Sequence, residues 1–287
     1  MRRNVDYIQS SNALDQPSPI IWADCPLSQY LARHGDAANA VYFGDRFEAF
    51  PNASAPATAA HGKWEAYGDT GVVIGPDKDE TLGIGPVCKI SGNDADNDEG
   101  NISGPSNCFR ISDTGGELGK LWFECRLRKA SVADNGLALF AGLGWDLTNN
   151  VSLAKADALV DNTGAIGAFS MIGFHVDHAN GDSVDFVYRA DGQAATVPIA
   201  GLKAIAADTF YNLGFVYDPQ EVDAKKIKVY VDGVEDDTYV TATDIAAATF
   251  PDDEWMAPCY LTKVGAAAEV KNYLKFMEVF QLSTLTT

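Results

Sequence analysis

The chain has 287 residues, with 40 acidic against 21 basic side chains, a formal charge of −19 and a pI near 4.4. A polyanion of this strength repels phosphate backbones, so composition argues against a nucleic-acid-binding role. With 46% hydrophobic residues the chain can bury a substantial core, which argues against global disorder.

The opening residues, Met1 to Asp6, carry no apolar stretch of the kind a signal peptide needs. No segment approaches the ~18 apolar residues required to span a bilayer. The expectation is a soluble protein made in a cytoplasm, with no membrane partner. Residues 4–24 are polar and contain two close prolines, Pro17 and Pro19, which predicts an extended arm. Its isolated apolar patch, Ile20, Ile21 and Trp22, is the candidate partner-binding surface, a segment that orders on contact. Asp24-Cys25-Pro26 predicts a helix start, and Leu27, Tyr30 and Leu31 follow at helical spacing toward His34-Gly35.

Residues Val41–Phe50 predict the first strand, and Trp64–Tyr67 and Gly71–Ile74 two short ones. Residues Asn93–Asn101 predict a solvated acidic loop. Core strands follow at Lys120–Arg128, Leu137–Leu143, Phe169–Val176, Ser183–Arg189, Thr209–Tyr217, Lys226–Val231, Tyr260–Val264 and Asn272–Leu282. The sharpest alternation lies in Lys226–Val234. Ile227, Val229 and Val231 point one way, and Lys228, Tyr230 and Asp232 the other, toward water. Asp232-Gly233 supplies hairpin-turn chemistry. Residues 147–160 predict a loop with one or two helical turns. The expected class is all-β: an antiparallel β-sandwich at residues 41–287, preceded by an arm and short helix at residues 1–40.

Residues Leu139–Leu143 (LFAGL), Met171–His175 (MIGFH), Tyr211–Tyr217 (YNLGFVY) and Ile227–Val234 (IKVYVDGV) resemble successive strands of a concanavalin A-like, laminin-G-type jelly roll. In order and spacing they are similar to tailed-bacteriophage virion proteins of that fold. Asp24–Leu27, Tyr42–Phe47 and the terminal Phe280–Leu282 add to the resemblance. It implies a non-enzymatic virion structural protein, a capsid decoration or cement protein on the capsid surface. Its partners would be the major capsid protein and neighbouring copies of itself, as a trimer. The alternative is a carbohydrate-binding, lectin-like module or adhesion protein on the virion.

Side chains that could carry chemistry were weighed against plainer roles. A retaining glycosidase needs two carboxylates ~5–5.5 Å apart. The nearest pattern, Glu221-Val222-Asp223, runs into Lys225-Lys226 and reads as a solvated turn. Asp94, Asp96 and Asp98 alternate as Ca²⁺ ligands do, but Glu99 stands where an EF-hand loop needs glycine, and a mobile acidic loop is preferred. No other cofactor is expected. His175 and Asp177 share a strand face while His178 points away, short of the three or four ligands zinc requires. Trp145, Asp146 and Asn149 form a candidate glycan-binding set, as does Trp255 with Asp252 and Asp253: rings stack on sugar faces and carboxylates take hydroxyls. Of the five cysteines, Cys125 reads as a small core residue, and Cys88–Cys108 is the one pair considered for a bridge.

Overall fold

A computed structural model describes residues 17–27, 40–47, 53–54, 59–61, 63–77, 87–91, 95–112, 118–134, 136–160, 164–265 and 271–283. Its strands are, in chain order, β1 (Ala40–Asp45), β2 (Ala53–Ser54), β3 (Ala59–His61), β4 (Trp64–Gly68), β5 (Val73–Asp77), β6 (Val87–Ser91), β7 (Glu99–Ser103), β8 (Leu118–Lys129), β9 (Leu137–Trp145), β10 (Ser170–Val176), β11 (Ser183–Arg189), β12 (Thr196–Ala204), β13 (Tyr211–Tyr217), β14 (Ile227–Val231), β15 (Val234–Glu235), β16 (Ala257–Val264) and β17 (Lys271–Ser283). One short helix, α1 (Ala242–Ile245), is closed by a capping box between Thr241 and Asp244. All strand pairings are antiparallel. They build two sheets, ordered β15-β14-β13-β8-β17-β6-β5-β2 with β1 also on β17, and β12-β11-β10-β9-β16-β7-β4-β3. This is the β-sandwich of jelly-roll, concanavalin A-like type.

Alternation decides the core. Phe123, Phe174, Phe186 and Phe215 meet between the sheets, with Phe123 and Phe215 stacked at 5.0 Å. Burying such side chains contributes ~1.5–3 kcal/mol each. Cys125 lies in this core, as expected, and all five cysteines are free, so Cys88 and Cys108 are not bridged. The Asp232-Gly233 turn forms with both residues at positive φ, 51° and 77°, joining β14 to β15.

Neither outer face is wet in the manner the alternation predicts. On the nine-stranded sheet, segment 17–27 lies across Trp122, Val216, Tyr230 and Phe280 and buries them. Ile21 packs on Gly214, where a Cβ would sit 2.6 Å from the Ile21 Cδ1 atom; the absence of a side chain there admits the segment. Glu124 on β8 accepts from the Ser18 amide (2.8 and 3.0 Å), the Trp22 indole (2.7 Å) and the Asn212 side chain (3.0 Å). Burial, against these donors, pushes its carboxyl up to about 7. Asp24 binds Lys120 and the Trp122 indole. The expected helix lies outside the described residues apart from its start at Leu27.

On the eight-stranded sheet the described parts of the excursion between β9 and β10, residues 146–160 and 164–169, fold back over the outer face. Leu153, Ala158, Leu159 and Ile166 pack onto Phe140, Met171, Val187, Cys259 and Leu261. This excursion contains no helix among its described residues, contrary to the predicted helical turns; its bridges, Asp146–Val151 and Leu159–Ile166, are extended. The predicted acidic loop also ends early. Glu99 and Asn101 are buried in β7, because they hold the underside of the excursion.

Candidate functional site

Strand register brings both predicted aromatic sets to one end of the eight-stranded sheet. Trp145, the last residue of β9, faces Ser170 on β10, and Gly144 faces Ala257 on β16. Trp255 therefore enters at the same end. Ser103 on β7 faces both Cys259 and Glu65, which places Glu65 and Pro105 there too. Between them opens a cleft of about 430 Å³, lined by Glu65, Pro105, Trp145, Asn150, Val151, Ser152, Ala154 and Lys155.

The loop 146–155 is organised by Asp146. Its carboxylate accepts from the Asn149 amide and side chain, both at 3.0 Å, and from Lys155 Nζ at 2.5 Å. Burial works to raise the Asp146 pKa, but Lys155 and the Asn149 donors outweigh it and hold the carboxyl below its ordinary range. The fully buried Asp146 and its partner Asn149 are thus the frame of the loop and do not line the cleft. The sequence missed the residues that do line it beside Trp145: Glu65, Asn150, Ser152 and Lys155. Ser152 donates to Glu65. The signal was faint, since Glu65 is 80 residues away in sequence and only pairing through β7 brings it near. Trp145 is largely buried, and its indole N–H has no hydrogen-bond partner.

Trp255 is 42% exposed, with the Arg110 guanidinium 4.9 Å from its ring centre. Asp253 lies 3.9 Å from Arg110. Nearby Glu254 accepts from Ser170, and burial, helped by Asp191 and Asp252, pushes it up to about 7.

The other candidates separate. Ile20 is 61% exposed beside Gly233, whereas Ile21 and Trp22 pack on the chain's own sheet. Glu221 accepts from Lys228 at 2.6 Å and Asp223 is solvated, which is the turn expected of them. His175 contacts the Gly164 carbonyl oxygen at 2.9 Å, and Asp177 caps a 3₁₀ turn at His178–Asn180. Asp94 lies outside the described residues; Asp96 and Asp98 sit in the turn before β7, and no metal-binding cluster occurs among the described residues.

No family model matches the sequence, and no curated protein matches it. The fold is similar to several solved structures. Peanut lectin bound to a nine-residue peptide is 14% identical (86% of this chain, 100% of that one, TM-score 0.52). An endo-β-1,4-glucuronan lyase from Trichoderma reesei is 7% identical (85% and 95%, TM-score 0.51). A protein of unknown function from Shewanella oneidensis MR-1 is 16% identical (91% and 95%, TM-score 0.52). At these identities the likeness defines the fold alone: a jelly-roll antiparallel β-sandwich shared with lectins and glycan-acting enzymes. The capsid-decoration role expected from the sequence is corrected here. The matched folds are those of a lectin and a glycan lyase rather than of bacteriophage virion proteins. Order among short, common strand motifs reports the sandwich and not its use.

Proposed function

We propose that the protein is a carbohydrate-binding module, without glycan-cleaving activity, that takes its ligand in the cleft beside Trp145. One observation carries the reading: a cleft of about 430 Å³ that sets Trp145 beside the polar side chains of Glu65, Asn150, Ser152 and Lys155. That size falls within the ~300–1,000 Å³ range of small-ligand sites. The cleft offers the Glu65 carboxylate as acceptor and the Asn150 amide as donor and acceptor, a mixed set suited to hydroxyls that both donate and accept. The fold's occurrence in a lectin and a glycan lyase agrees with this reading.

The outer face of the eight-stranded sheet is filled by residues 146–169, so an extended glycan has no room along it. Beneath them Glu99 is tied to Lys263 at 2.5 Å. A glycosidase needs two carboxylates poised across an open cleft; at the cleft itself Asp146 is enclosed and Glu65 holds Ser152.

The test is glycan-array binding followed by calorimetry, with Val151→Arg as the blocking variant. Val151 is exposed at the cleft wall, so the change fills the site and spares the core. Binding to at least one glycan, weakened about tenfold or more in the variant, is expected, an energy of ~1.4 kcal/mol. Absence of binding across a broad array refutes the function. Binding indifferent to Val151→Arg refutes the location, and turnover of a bound glycan refutes the non-enzymatic part.

A further inference from the structure

Resting on the carbohydrate reading, we infer that the cleft selects neutral saccharides and rejects uronic ones, because its cation is already neutralised and its free charge is negative. Lys155 is the one cationic side chain among the described residues lining the cleft. Its ammonium lies 2.5 Å from the buried Asp146 carboxylate and 4.5 Å from the Phe169 ring centre. Among the described residues no other cation pairs with Asp146, and moving Lys155 away toward a ligand would leave a buried carboxylate held by Asn149 alone. Leaving a buried charge without its cation costs more than a solvated ligand contact returns.

What remains is the Glu65 carboxylate, which also lines the cleft. It accepts from Ser152 through one oxygen and keeps its other oxygen for a further donor. A sugar hydroxyl supplies that donor and, with its oxygen, can accept from the exposed Asn150 side-chain amide. A uronate carboxylate supplies only acceptors and a second negative charge beside Glu65. The surrounding field has the same sign, since the whole chain carries −19. Like charges a few ångströms apart at a partly screened surface cost about 1–2 kcal/mol, on the order of tenfold in affinity. Asn150, at the loop tip with φ 52°, is exposed and polar without charge, and so does not alter the balance.

The experiment uses matched oligosaccharide pairs that differ only in oxidation at C6: β-1,4-glucan with β-1,4-glucuronan, galactan with galacturonan, and mannan with mannuronan. Each is titrated into the full chain at low and at high salt. At least one neutral member is expected to bind tenfold or more tightly than its uronate, with the ratio shrinking as salt screens the field. Glu65→Gln, which keeps the shape and the Ser152 contact, should narrow the ratio by about tenfold. A uronate that binds as tightly as its neutral partner overturns the inference and leaves the cleft as a carbohydrate site. A ratio unchanged in Glu65→Gln also overturns it. If no member of the set and no glycan of a broad array binds, the carbohydrate reading itself fails and the inference falls with it.

Discussion

Replacing Lys263 by Met probes what pins residues 146–169 over the sheet. The Lys263 ammonium lies 2.5 Å from Glu99, 3.3 Å from Asp157 and 3.1 Å from the Leu159 carbonyl oxygen, and both Lys263 and Glu99 are almost fully buried. Asn101 adds a bond to the Lys155 carbonyl oxygen at 2.8 Å. Removing one member of a buried pair leaves the other uncompensated, at a cost of ~3–5 kcal/mol. Burial has already pushed Glu99 up to about 7 against the opposing pull of Lys263. Without that pull it rises further, so the variant takes up a proton to relieve the charge. The loss should be largest near pH 8 and smaller at pH 5, where Glu99 is protonated in both proteins. Urea unfolding at the two pH values measures this. The double variant Glu99→Gln/Lys263→Met should recover much of the loss, as coupled neighbours do. A pH-independent loss below ~1 kcal/mol would show that the pair does not hold the excursion, since breaking a buried pair should cost several times that.

Two further predictions concern the whole fold. Burial pushes Glu99, Glu124 and Glu254 each up to about 7 from an ordinary 4.5. A carboxyl whose pKa is higher in the folded state binds extra protons there, so its contribution is complete below 4.5 and is lost as pH rises through 7. Asp24 and Asp146, held low, act in the opposite sense under more acid conditions, and buried His175, lowered from its ordinary 6.5, does so inside this range, set against three carboxyls. The melting temperature should therefore be higher at pH 5 than at pH 8, at roughly 2–4 °C per kcal/mol; a flat or rising profile refutes the assignment. Ile21→Ala opens a cavity against Trp122, Val216, Tyr230 and Phe280 and should cost ~2–4 kcal/mol in urea unfolding. A loss under ~1 kcal/mol would show that the arm does not dock on its own sheet in solution, since a buried Ile→Ala costs at least ~2.

The sandwich was legible because its signals are local. Period-two alternation in β8, β13 and β14 marks which side chains enter the core, and Asp232-Gly233 marks a turn by its tolerance of positive φ. Six strands were not seen, of which β2, β3 and β15 are only two or three residues long. In β6 the run is short. In β7 Glu99 and Asn101 read as solvent-facing. In β12 Gly201 and Pro198 interrupt the pattern, and shifts in its register against β11 match that.

Sequence alone determined the class of fold, the buried Cys125 and the Glu221–Asp223 turn. Tertiary structure decided what lies on the two sheets and therefore where a ligand can go. A local pattern tells which face of a strand is apolar, but it cannot tell what will later cover the polar face. Tyr230 reads as wet until segment 17–27 lies on it, and Glu99 reads as part of a solvated loop until it is buried in β7 against Lys263. The same holds for the cleft: Trp145 and Glu65 come together only through the pairing of β9, β16, β7 and β4, and that register is set by the packing of the whole sheet.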